Sequence, residues 1–100
     1  MLNQSVGLLE VVGMVTATAC IDAMVKSAFV EVHNIKMIGS GMITIVIKGD
    51  LASVKEALEI GSETASRFGE IVSCRCIARP YEGLEILLDP TEKGGNNEEV

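Results

Sequence analysis

A serine set between two glycines, Gly39-Ser40-Gly41, opens the question of chemistry, because a hydroxyl on a tight glycine turn is one way to build a nucleophile. The elbow of that kind needs glycine two residues before and two residues after the serine, and Ile38 and Met42 occupy those places. It also needs a following helix, whereas "MITIVIK" after Ser40 reads as a strand. A nucleophilic Ser40 would further require a base, and the chain has a single histidine, His33, with no evident acid to orient it. Enzymatic use of Ser40 is therefore not expected.

The thiols are the second group able to do chemistry. Cys74 and Cys76 stand two apart in an alternating stretch, so both point to one face with Val72 and Ala78, and the expected role is that of small apolar core residues on the helix-facing side. A metal site would want further ligands, and neither Cys20 nor His33 can be brought near the pair by spacing alone. Three cysteines, an odd number with a Cys-x-Cys spacing, do not form a disulfide framework, so a reducing compartment is the simpler assumption. No metal or cofactor is expected.

Whatever the glycine loop does, it must be held by the elements around it. "VGLLEVV" from Val6 to Val12 is a short, valine-rich apolar run and reads as a buried strand ended by Gly13. Residues 14 to 28 place Ala17, Cys20, Ile21, Met24, Val25 and Ala28 on one helical stripe, leaving Asp22 and Lys26 exposed. "VEVHNIKM" alternates and then slips phase at His33 and Asn34, which predicts a strand with a bulge, and it should pair as a hairpin with the strand from Met42 to Lys48. Either Asp50 or Ser53 can cap the next helix, whose buried face is Val54, Ala57, Leu58, Gly61, Ala65 and Phe68, and Gly69 stops it. "EIVSCRCIARP" supplies a last strand ended by Pro80, and "YEGLEILL" a short final helix.

The order β-α-β-β-α-β plus a short C-terminal helix implies an α+β fold, a ferredoxin-like sandwich with a four-stranded antiparallel sheet and its helices on one face. Residues 1–88 form one domain and 89–100 a flexible acidic tail. With 8 Lys and Arg against 14 Asp and Glu and no basic run interleaved with aromatics, nucleic acid is not an expected partner. No apolar run approaches the ~18 residues of a membrane span, and no positive leader precedes the first strand, so a cytosolic chain is expected. A hydrophobic fraction of 48% is high for so small a soluble domain and points to apolar surface buried between subunits.

Glycines at 39 and 41 suit a hairpin, but the loop "MIGSGM" is otherwise apolar where a solvent-facing turn is usually polar. That combination makes sense if several copies converge on a symmetry axis and present Ser40 to a narrow channel.

At these residues the sequence resembles a known family. "GLLEVVG" at 7–13, "DAMVKSA" at 22–28, "IGSG" at 38–41, "IKGDLASVKEA" at 47–57, "GE" at 69–70 and "ARP" at 78–80 are similar to the hexameric single-domain shell proteins of bacterial microcompartments, such as those of ethanolamine and propanediol utilisation. The resemblance implies a cyclic homohexamer that tiles into sheets and a central pore lined by Ile38, Gly39, Ser40 and Gly41, with Ser40 at the narrowest point. It places Lys26 and Arg79 at hexamer–hexamer edges. It also implies other shell proteins and encapsulated enzymes as partners, and a place in a microcompartment shell within the cytoplasm. Two positions depart from the family pattern: Phe29 stands where a small polar residue is common, and Met37 stands where a lysine often precedes the pore sequence, although Lys36 is adjacent. A reading from another class is an oligomeric, ligand-binding regulatory module on the same sandwich.

Overall fold

The computed structural model describes residues 4–78. Its elements run β1 (Ser5–Val12), α1 (Met14–Ser27), β2 (Val30–Gly39), β3 (Met42–Gly49), α2 (Leu51–Phe68) and β4 (Glu70–Ile77). The strands form one antiparallel sheet in the order β2-β3-β1-β4. The expected short C-terminal helix, the tail at 89–100 and Arg79 lie outside the described residues.

Alternation along β1 and β3 divides the sheet into two faces. Leu9 pairs with Ile45, Val11 with Ile43 and Gly7 with Ile47, so these side chains share the face on which both helices lie. Leu9, Val11, Ile45 and Ile47 are completely or almost completely buried there, against Ala17, Cys20 and Met24 of α1 and Val54, Ala57 and Ala65 of α2. Each such aliphatic side chain removed from water contributes about 1.5–3 kcal/mol. Two glycines let the layers approach closely. A Cβ at Gly7 would lie 2.9 Å from Val54 Cγ1 and 3.0 Å from both Ile47 Cγ1 and Leu58 Cδ1, and one at Gly61 would lie 2.8 Å from Met24 Sδ.

On the other face, Glu10 ties three strands together. Its carboxylate accepts a hydrogen bond from the Thr44 hydroxyl of β3 at 3.0 Å and another from the Ser73 hydroxyl of β4 at 2.8 Å. Hydroxyls at those two positions satisfy a charge that would otherwise sit among Leu8, Val12 and Val46.

The helix ends follow local chemistry. Of the two candidate caps for α2, Asp50 is the one used: its Oδ1 accepts from the Ser53 amide at 2.9 Å. Hydrogen bonds from Ser53, the hydroxyl contribution first and the amide second, hold the Asp50 carboxyl below its ordinary range. Gly69 ends α2 with its amide bonded to the Ala65 carbonyl at 2.8 Å, in an extended conformation open to any residue. Its lack of a side chain serves space instead, since a Cβ would run into the Thr16 hydroxyl.

Three expectations of burial are corrected. Val25 is exposed although Met24 before it is fully buried and Ala28 after it packs on the core, so it lies at the margin of the α1 stripe; Phe68, in the last turn of α2, is 56% exposed. Cys74 and Cys76 are exposed rather than core residues. Cys74 does share the helix-side face with its partner Leu9, and the Ser62 hydroxyl of α2 donates to its sulfur at 3.4 Å. However, β4 is the edge strand, with no strand beyond it, so both thiols remain exposed although α2 packs against it. The expected bulge in β2 is present, with the register shifting between Val32 and Asn34 around His33. A second shift lies opposite Glu10 and Val11, where Val72 is the extra residue of β4.

Candidate functional site

The β2–β3 connection turns in two residues. Gly39 pairs with Met42, leaving Ser40 and Gly41 as the loop, and both have positive φ, 60° and 79°. That sign pattern belongs to the type I′ turn, whose twist matches a hairpin's. Gly39 itself has φ 102°, and the register shifts between Met37 and Gly39, so Ile38 bulges just before the turn. Neither glycine is needed for room. Nothing lies within 4 Å of a Cβ at Gly39, and at Gly41 only Val12 Cγ1 approaches, at 3.8 Å. Their value is conformational: the left-handed region costs other residues about 1–2 kcal/mol.

Ser40 is the one described residue other than glycine that bears this cost. Glycine or asparagine would occupy the position more comfortably, so a fully presented hydroxyl is being held in a conformation the turn alone would not choose. The loop is anchored at its base, where the Gly41 carbonyl accepts from the Gly13 amide at 2.8 Å. This bond joins the hairpin tip to the β1–α1 corner, and α1 begins there without a side-chain cap.

Around that base the surface is apolar. Met14 and Val15, which open α1, are 50% and 73% exposed, and Met37 and Ile38 of the hairpin are exposed too. Met14 and Val15 fall outside the buried stripe of α1, which was visible in the sequence, but only the Gly13–Gly41 bond shows that they adjoin the loop. Four large apolar side chains at one end of a 100-residue chain need a cover.

The structure brings Ile38, Gly39, Ser40 and Gly41 together at the hairpin tip, all exposed. Lys26 stands at the far end of α1, a 14-residue helix and hence roughly 20 Å from the loop end at 1.5 Å per residue. Its ammonium lies 3.5 Å from Asp22 Oδ2, an exposed i,i+4 pair of the kind that contributes little by itself. Loop and lysine therefore occupy opposite ends of the protomer's first helix. His33 is seven positions from Ser40 along β2, roughly 20 Å at 3.3 Å per residue, so the two cannot form a nucleophile–base pair. Burial raises the Cys20 thiol's pKa, and the thiol donates to the Gly61 carbonyl at 3.4 Å. Among the described residues no group of three or more metal-ligating side chains occurs, and no helix is long and apolar enough to cross a membrane.

Comparison with known proteins places this arrangement. The BMC domain family matches residues 5–80. The chain is 38% identical over 94 residues to the bacterial microcompartment shell protein EutM of Salmonella typhimurium, covering 94% of this chain and 98% of that protein. It is 36% identical over 88 residues to the shell protein PduA of Citrobacter freundii, covering 88% of this chain and 95% of that one. The crystal structure of a microcompartment protein from Desulfitobacterium hafniense superposes with a TM-score of 0.75 over 95% of this chain, at 22% identity. This chain spans 51% of that longer one, and the likeness is one of fold.

Proposed function

The chain belongs to the BMC domain family, and on that premise we propose that it is a structural shell protein of a bacterial microcompartment, built as a cyclic homohexamer around the Ser40 loop. The observation that carries this reading is Ser40 itself: a serine kept at φ 60° on an anchored, exposed tip with an apolar base. Six such tips meeting on an axis give a ring of hydroxyls bounded by Ile38, Gly39 and Gly41. Hydroxyls in a ring can replace part of the hydration of a small polar metabolite as it passes. The same convergence covers Met14, Val15, Met37 and Ile38 with neighbouring copies.

At the other end of α1, Lys26 lies on the hexamer edge, where its aliphatic stem packs along a neighbour and its ammonium reaches carbonyl or carboxylate acceptors. Arg79 acts at the same junction. The sandwich is of the ferredoxin-like kind. Its role is structural rather than catalytic and requires no cofactor. The shell lies in the cytoplasm, and the partners are further copies of this chain, other shell proteins and the enclosed enzymes.

Ser40→Leu tests the loop's part directly. It should leave hexamers and sheets intact while dewetting the constriction, so that metabolite flux into intact shells falls. Unchanged flux through such shells would remove Ser40 from the pore.

A further inference from the structure

The most exposed large apolar side chain of the described residues is Phe29, at 92%, in the short link between α1 and β2. It stands at the rim of a notch of about 260 Å³ between the end of α1 and the start of α2, lined also by Val25, Lys26, Ala28, Ser53 and Glu56. So exposed a ring does not fill the notch of its own chain. An apolar cavity of about 150 Å³ already accommodates benzene, so the notch has room for a phenyl ring.

Resting on the shell reading above, we infer that Phe29 is an anchor between hexamers, inserting into this notch on a second copy of the chain while that copy's Phe29 enters the first. A two-fold contact requires knob and hole to sit side by side on one self-complementary surface, and Phe29 and the notch do. The charges agree with the same operation. Lys26 and Glu56 border one notch, so a two-fold contact brings a lysine and a glutamate of each copy into the same interface, where opposite charges can pair across it. Each contact thereby buries two rings, and aromatic anchors seated in pockets carry the largest share of interface energy. The ring supplies the apolar part of the contact, while Lys26, Ser53 and Glu56 line the notch beside Val25 and Ala28, so salt that screens the charges should weaken sheet formation without abolishing it.

Two measurements decide. Phe29→Ala should keep hexamers on size-exclusion chromatography but raise the protein concentration needed for sheets by roughly tenfold or more, the usual effect of truncating a buried anchor. In mixed sheets of Phe29→Cys and Ser53→Cys hexamers, a disulfide should form between the two substituted positions. Sheets from Phe29→Ala at the wild-type concentration would overturn the inference. So would disulfides formed only between two copies of Phe29→Cys, which would show the rings meeting each other instead of entering notches. A wild-type protein that forms neither hexamers nor sheets would remove the shell reading on which the inference stands.

Discussion

Replacing Ser40 with glycine should make the protein more stable, although it removes the one polar side chain at the tip. Ser40 is held at φ 60° in the second of three consecutive positive-φ positions. Releasing a residue with a Cβ from that region recovers about 1–2 kcal/mol. Glycine's freer unfolded chain gives back about 0.4–1 kcal/mol. The balance is a gain of about 0.5–1 kcal/mol per protomer. With a urea slope of about 1.5 kcal/mol per molar, typical of a domain this size, the midpoint should rise by about 0.3–0.7 M with the slope unchanged. Ser40→Ala is the control: it also lacks the hydroxyl but keeps the Cβ and the strain, so its midpoint should stay near wild type. Because the proposed assembly is a hexamer, all three proteins must be compared at equal chain concentration. A Ser40→Gly protein no more stable than Ser40→Ala would refute the strain argument. It would leave no reason to regard the serine as kept against the preference of the turn.

Gly7→Ala should destabilise by about 1–3 kcal/mol, since its Cβ would meet side chains of β3 and α2 at 2.9–3.0 Å on three sides; a midpoint equal to wild type in urea would show that α2 can shift freely. Lys26→Asp should give soluble hexamers without extended sheets, with Arg79→Ala similar but milder; normal sheets by electron microscopy would show the edge contact to be misassigned. Of the three thiols, Cys74 and Cys76 should react with a thiol reagent in the native protein and Cys20 only after denaturation, while a fast third equivalent would show the interior to be open. Asp50 has a folded pKa below its unfolded one, so the stability it contributes is present above the unfolded value and lost as pH falls through the folded value. Asn caps as well as Asp, so Asp50→Asn should keep the neutral-pH midpoint and flatten that acid limb; an unchanged acid limb would show that the cap carboxylate does not contribute to it.

Local patterns were the most legible part of the sequence. The phase slip at His33 marked a bulge that the register shift between Val32 and Asn34 confirms, because alternation within one strand is a local property. The same holds for the α1 stripe through Ala17, Cys20 and Met24. What alternation could not tell was how far each element is covered. Cys74 lies on the expected face but on an edge strand, and Phe68 continues the expected stripe beyond the end of its support. Burial of that kind is set by the order β2-β3-β1-β4 and by where the helices stop, which no single segment encodes. At the loop, the glycines announced positive φ, but spacing gave no sign that Ser40 shares it or that Gly41 is tied to Gly13. The apolar character of the loop suggested copies converging on a channel, but the six-fold count and the tiling into sheets came only through the family resemblance, since one chain does not encode how many copies meet. Phe29 was visible as an unusual residue for the family, yet its exposure beside a notch required the structure.

In the proposed hexamer six Ser40 hydroxyls line the narrowest point of a six-fold pore. A cryo-electron-microscopy map of the assembled protein tests it most directly. The expected map shows hexamers with the Gly39–Gly41 tips meeting on the axis, Ser40 innermost, and Met14, Val15, Met37 and Ile38 covered by neighbouring copies. Hexamers in which the hairpin tip points away from the axis, or an assembly with no six-fold axis, would contradict it.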